Sequence, residues 1–224
     1  MSNIVLVVAA HSDDEALGCG GTMARHVAEG DTVYALFLAD GTSSRAGADP
    51  ADQERRQQAA ESARQLLGVE KYYYLDLPDN RLDSLPLIEV VQPLEAVIEE
   101  LRPNIIYTHH YGDLNVDHRV AHQAVLTACR PQPHASVKEI YAFQVMSSTE
   151  WNSPGVVPFL PSYAVDISYY LAIKEAALQA YALEMRAFPH SRSIPHLLDL
   201  ARHNGAVHGL EAAEVFMQIR RIRQ

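Results

Sequence analysis

Ile4-Val5-Leu6-Val7-Val8-Ala9-Ala10-His11-Ser12-Asp13-Asp14-Glu15 opens with seven apolar residues and closes with a histidine and three carboxylates. An unbroken apolar run rich in β-branched residues predicts a strand buried on both faces, as in a parallel sheet. A turn with Gly18, Gly20 and Gly21 follows, and then a helix to about Glu29. In open α/β sheets ligands bind beyond the carboxyl ends of strands. The polar residues after Ala10 therefore stand where such a sheet carries its chemistry.

The flanking sequence repeats the alternation. Thr32 to Ala39 is a second apolar run, and Asp49 to Leu67 has helical composition with Gly68 as a C-cap. Tyr72 to Leu75 is a short strand. Leu87 to Leu101 has helical spacing, with Pro93 predicting a kink or a late start. Asn104 to Thr108 is a fourth strand, and Asp117 to Cys129 a helix that Pro131 ends. This β-α order predicts an α/β fold with a doubly wound, mostly parallel sheet flanked by helices, in a single domain over 1–224. Farther on, Glu139 to Phe143 and Ser162 to Ile167 read as strands, partly antiparallel. Tyr170 to Met185 reads as a helix and Leu210 to Ile222 as a terminal helix. Prolines between Pro131 and Pro161 predict loops that frame a pocket.

Composition narrows the function. With 48% hydrophobic residues in 224, a large core can be buried. A net charge of −10 argues against nucleic acid and against an anionic membrane surface, since both need clustered Lys and Arg. A phosphorylated substrate stays allowed, because a few local arginines suffice. Two cysteines, Cys19 and Cys129, make no disulfide framework. The first apolar run is too short to span a membrane, and no Lys or Arg precedes it. A cytoplasmic protein without membrane insertion is the expectation.

Two adjacent carboxylates at a strand end raise each other's pKa, and a divalent cation relieves the repulsion. His11 and Asp14 suit zinc, and also iron, manganese or cobalt. One of Asp13 and Asp14 can bind metal while the other faces the metal's water. Helix capping explains two aspartates before a helix equally simply, but not His11 beside them. The fourth strand ends in His109-His110-Tyr111-Gly112-Asp113-Leu114-Asn115-Val116-Asp117-His118. His118 and His122 share a helix face at zincin spacing, but Arg119 stands where such proteases carry glutamate. Two histidines and one aspartate make a three-ligand site with an open position, the form of catalytic rather than structural zinc.

Ala10-His11-Ser12-Asp13-Asp14-Glu15, with Gly18-Cys19-Gly20-Gly21-Thr22 after it, resembles the opening motif of the LmbE-like, or PIG-L, deacetylase family. Asp113-Leu114-Asn115-Val116-Asp117-His118-Arg119 resembles its second motif, and the likeness runs nearly the whole chain. The resemblance implies a Rossmann-like fold and zinc-dependent removal of an N-acetyl group from an amino sugar, with a metal-activated water as nucleophile. His11, Asp14 and His118 would be the metal ligands, Asp13 the general base, Asp117 a supporting residue and Arg56 a substrate contact. Asp40, Asp113 and His110, on the same strand ends, are further expected substrate contacts. Arg45, Arg55 and Thr42 are candidates near the same edge.

Two positions depart from the family. Ser12 replaces a proline. Asn115 stands where many members carry a histidine that polarises the carbonyl or protonates the amine, and an amide can donate a hydrogen bond but not a proton. Asn115 is therefore a catalytic candidate without an acid's chemistry, and His109, His110 or Asp13 must supply the proton. The expected partner is a small amino sugar, nucleotide sugar or other conjugate. The resemblance also implies a homo-oligomer, with Trp151 either at an interface or packed in the core.

Other classes fit less well. Met23 holds the place of the last glycine of a dinucleotide-binding fingerprint, so a nucleotide-binding Rossmann-type protein is disfavoured. No G-x-S-x-G elbow marks a serine hydrolase. A non-catalytic metal-binding module would explain the ligands but not Asp13 beside them.

Overall fold

The computed structural model describes residues 2–41, 50–153 and 155–223; Thr42, Arg45 and Asp49 lie outside them. In chain order the elements are β1 (Ile4–Ala9), α1 (Asp14–Ala28), β2 (Thr32–Ala39), α2 (Pro50–Leu67), β3 (Lys71–Leu77), α3 (Leu87–Leu101), β4 (Ile105–His109), α4 (Val116–Ala128), β5 (Glu139–Phe143), β6 (Tyr163–Asp166), α5 (Leu171–Ala180), α6 (Ile194–Val207) and β7 (Ala213–Arg221).

The strands form one sheet in the order β3-β2-β1-β4-β5-β7-β6. The first five pair in parallel, and β7 runs antiparallel between β5 and β6. Along β1, Val5 and Val7 face one layer while Leu6 and Val8 face the other, as the two-residue period of a strand requires. One layer packs α1, α2 and α5, and the other α3 and α4. That double burial explains the unbroken apolar run. The chain winds outward from β1 to β3, then crosses back to β4 on β1's other side. The strand order reverses between β1 and β4, so the loops after these two strands flank one crevice.

Helix α1 is broken at Cys19 (φ −149°, ψ 23°). The orphaned backbone groups at the break are satisfied from far along the chain. Lys174 Nζ donates to the carbonyls of Ala16 and Leu17 at 3.1 and 3.0 Å. The Glu214 carboxylate accepts from the amides of Gly21 and Thr22 at 3.0 and 2.7 Å, and it pairs with Lys174. A Cβ at Gly18 would stand 2.3 Å from the Phe143 ring, and one at Gly21 would stand 2.8 Å from Ile167. The glycine turn is thus filled by protein side chains, which leaves no room for a pyrophosphate.

Three expectations are corrected. Residues 210–222 do not form a helix: 213–221 are β7, whose amides and carbonyls complete the edges of both β5 and β6. Strand pairing overrides the helical leaning of Glu211-Ala212-Ala213-Glu214. The helix expected to Met185 ends at Ala180, where Tyr181 turns into the core. Leu87–Leu101 is a single helix containing Pro93, with no late start, and α6 was not anticipated. No helix among the described residues is long and apolar enough to cross a membrane.

Candidate metal centre

The loop from β1 into α1 is anchored from beneath. Glu15, fully buried, accepts from Tyr72 Oη at 3.1 Å and Tyr181 Oη at 2.7 Å through Oε1, and from the Asp13 amide at 2.9 Å through Oε2. Asp13 itself has φ 125°, a strained conformation for a residue with a Cβ. Its side chain makes no capping bond to α1, so helix capping does not account for it.

His11, Asp14 and His118 each bring one donor atom into a group in which all lie within 4.8 Å of one another. Asp14 Oδ2 is 3.3 Å from His11 Nδ1 and 3.4 Å from His118 Nε2. The far nitrogen of each imidazole meets a carboxylate. His11 Nε2 lies 3.0 Å from Asp79 Oδ1 and 3.2 Å from Asp117 Oδ2. His118 Nδ1 lies 3.2 Å from Asp113 Oδ1, a charge contact rather than an aligned hydrogen bond. Carboxylates behind imidazoles fix the ring orientation and raise the basicity of the nitrogen that faces a metal. These carboxylates are held in turn. Asp117 accepts from the amides of Asn80 (2.7 Å) and Leu82 (3.0 Å). Asp113 accepts from the Asn115 amide (2.9 Å), Thr149 Oγ1 (2.5 Å) and Ser148 Oγ.

The electrostatics fit a cation. Burial disfavours charge on His118, yet Asp14 and Asp113 push its pKa up to about 9. His11 is likewise driven well above its ordinary value, against burial, by Asp117, Asp14 and Asp79. Burial would raise Asp14, but His118, His11 and His109 hold it well below the usual carboxylate range. Burial and the neighbouring Asp14 raise Asp13. Protons on the two imidazoles balance the same carboxylates that a divalent cation would. The nitrogen and oxygen donors suit zinc or a similar ion.

A cleft of about 260 Å³ opens over this group, and its walls also include Asp13, Arg56, Asp79, Asn80, Asn115, Glu184 and Arg192. Three protein donors beside an open polar cleft leave a position for water and substrate.

Residues 6–129, more than half of the chain, match the family profile described as PIG-L: GlcNAc-PI de-N-acetylase. The chain belongs to the PIG-L family. The uncharacterized deacetylase YaiS of Escherichia coli K12 is 29% identical over 183 residues, covering 79% of this chain and 89% of its own. The diacetylchitobiose deacetylase of Thermococcus kodakarensis is 27% identical over 222 residues, covering 94% of this chain and 80% of its own. Among solved structures, the conserved protein TT1542 from Thermus thermophilus superposes with a TM-score of 0.78 at 27% identity, covering 100% of this chain and 97% of its own.

In this PIG-L chain, the structure brings His11, Asp13, Asp14, Arg56, Asn115 and His118 to the cleft and sets Asp117 behind His11. Three expected substrate contacts lie elsewhere. Asp113 is fully buried behind His118, because the turn after β4 points its carboxylate to Ser148 and Thr149. His110 is fully buried too, with Nε2 3.0 Å from the Val157 carbonyl and its ring edge-on to Phe159. Asp40 is not in the cleft wall, although its neighbour Gly41 is, and Arg55 is exposed on α2. His109 accepts from the Ala10 amide at 2.8 Å and stacks on His118 at 3.9 Å; burial and His118 hold its pKa well below normal. Neither His109 nor His110 lines the cleft, although His109 Nε2 lies 3.5 Å from Asp14 Oδ2.

Asn115 is the N-cap of α4: its Oδ1 accepts from the Asp117 amide at 2.8 Å, and its Nδ2 lies 3.5 Å from Asn80 Oδ1. Trp151 is 53% exposed, which removes the packed-core reading, whereas Cys19 is fully buried in the break of α1. Sequence reasoning left Asp79, Asn80, Glu184 and Arg192 out of the candidate set. Only the arginine and the acids were visible as residue types, with no local motif around them.

Proposed function

We propose that this chain is a metal-dependent N-deacetylase that hydrolyses the N-acetyl, or similar short acyl, amide of an amino sugar or sugar conjugate. The observation that carries this reading is one carboxylate, Asp13, beside a three-donor group that opens on a polar cleft. His11, Asp14 and His118 would hold the cation: zinc first, with iron(II), manganese(II) or cobalt(II) also suited to the donors. When bound, such an ion acts as a Lewis acid and makes water acidic enough to ionise near pH 7.

The chain's own groups supply the rest. Asp13 takes a proton from the attacking water, and the upward push that burial and Asp14 give its pKa strengthens it as a base. As the C–N bond breaks, the same proton passes to the nitrogen, releasing an amine and a carboxylate. The burial of His109 and His110, neither of which lines the cleft, supports this double duty. Asp117 and Asp113 keep the two imidazoles oriented. The cleft wall, made of charged and amide side chains, suits hydroxylated sugars and offers no apolar face to a lipid among the described residues. The relative that acts on diacetylchitobiose supports the same substrate class.

The test is elemental analysis of wild type and His118→Ala, purified without chelator, together with a screen of N-acetylated amino sugars for amine release. About one transition metal per chain, lost in the variant, with amine release by wild type alone, is expected. A wild type that stays metal-free after soaking, or that is loaded yet inert across the screen, overturns the reading.

A further inference from the structure

Asp13 has a guanidinium near each carboxylate oxygen. Arg192 Nη1 donates to Oδ2 at 3.2 Å, and Arg56 Nη2 lies 3.6 Å from Oδ1. The two arginines differ in what they have left to give. Arg56 uses Nε on Ser12 Oγ, Nη2 on the Ser12 carbonyl, and Nη1 on the Gly41 carbonyl and Glu184. Arg192 uses Nε on Ser147 Oγ at 2.9 Å and Nη1 on Asp13, and its Nη2 meets no partner among the described residues. Its side chain lines the cleft and is 20% exposed.

The backbone of Arg192 is fixed as well as its guanidinium. The Arg192 amide donates to His190 Nδ1 at 3.0 Å, and its carbonyl accepts from the Arg186 amide at 3.2 Å. Ser147, which receives Nε, is fixed by its own amide to Glu150 Oε1 at 2.6 Å. A planar fork bound through Nε and one terminal nitrogen has its other terminal nitrogen aimed by geometry alone.

The reaction calls for a donor at this place. Amide hydrolysis builds negative charge on the acyl oxygen, and preorganised donors there are among the largest catalytic terms. Asn115 can offer only an uncharged donor, its Nδ2, which lies 3.5 Å from Asn80 Oδ1 while its oxygen caps α4, and a charged donor makes the stronger hydrogen bond to an oxyanion.

We propose that Arg192 is a catalytic residue of this chain: Nη2 donates to the acyl oxygen as charge develops there, while Nη1 keeps Asp13 aligned with the attacking water. This rests on the deacetylase reading above. As the water oxygen bonds to the carbonyl carbon, the π pair moves onto the acyl oxygen. It returns as the C–N bond breaks and the nitrogen takes its pair and the proton from Asp13. Arg192 keeps its own protons throughout, as a guanidinium does.

The experiment compares wild type, Arg192→Ala and Arg192→Lys on the N-acetylated sugar that wild type turns over. Arg192→Ala is expected to lose roughly 10²- to 10³-fold in kcat, with KM changed only a few-fold. Added guanidinium ion should restore part of that loss in Arg192→Ala and do nothing for wild type, and Arg192→Lys should fall between. A second readout needs no turnover. Wild type should bind a tetrahedral phosphonamidate analogue more tightly than the unreacted amide, and Arg192→Ala should lose that preference while keeping affinity for the amide. An Arg192→Ala protein with unchanged kcat, or one with raised KM alone, overturns the proposal. So does a folded Arg192→Lys that keeps full preference for the analogue while Arg192→Ala is unfolded, since Arg192 would then serve stability. A metal-loaded wild type with no turnover overturns the deacetylase reading itself, a result distinct from all of these.

Discussion

Tyr181 Oη donates to Glu15 Oε1 at 2.7 Å across 166 residues of chain, joining the end of α5 to the loop that carries Asp13. Glu15 passes that restraint on through its bond to the Asp13 amide. The strained φ of Asp13 is thereby maintained by contacts that come from two other elements, β3 through Tyr72 and α5 through Tyr181.

Tyr181→Phe removes one of the two tyrosine donors to Glu15 and leaves the ring in place. A loss of roughly 1–3 kcal/mol in folding stability is expected for a buried acceptor deprived of a partner. Denaturant midpoints measure it. Turnover should fall with metal content unchanged, because the altered support lies under Asp13 rather than under the ligands.

Asp13→Asn should retain the metal and lose turnover by roughly 10²- to 10⁴-fold, the range that a positioned acid–base group contributes. Steady-state kinetics on metal-replete protein checks this. Substantial activity in the variant would remove Asp13 as the base.

Asp113→Ala should weaken metal affinity by roughly 10- to 100-fold, the usual consequence of removing a carboxylate behind a ligand histidine. Competition with a chromogenic chelator reads it directly. A rise in KM at full metal occupancy would instead return Asp113 to the substrate contacts.

The metal-stripped protein should lose stability as pH rises. His118 has a folded pKa of about 9 against an ordinary value of 6.5, so its charged form stabilises the stripped protein fully below 6.5. That contribution fades between pH 6.5 and 9 and is gone above it. A bound cation takes over the same carboxylates and favours the neutral ring. The melting-temperature gap between loaded and stripped protein should therefore widen across this window. A constant gap would contradict the charge assignment of His118.

Much of the site could be read along the chain, because two short motifs each directly follow an apolar strand. His11, Asp13 and Asp14 follow β1, and His118 opens the helix after the β4 loop. A parallel sheet puts both strand ends on one edge, and the reversal of strand order between β1 and β4 makes them neighbours. Local sequence is enough for that inference, since strand burial and helix capping act within a few residues.

The direction of each loop side chain was not readable in the same way. Asp113 and His110 sit in the expected loop yet point into the protein, because the turn at 147–149 and the Val157 carbonyl supply their partners. Residues 210–222 have helical composition but become β7, because the sheet offers unpaired edges on both sides of that slot. Arg192 reaches Asp13 from 179 residues away, and Lys174 and Glu214 close the break in α1 from comparable distances. Hydrophobic periodicity and short motifs thus settle which strands are central and which loops carry the candidate donor residues. The second guanidinium at Asp13, the supports behind the histidines and the last strand depend on long-range packing, whose partners leave no periodic trace in the chain.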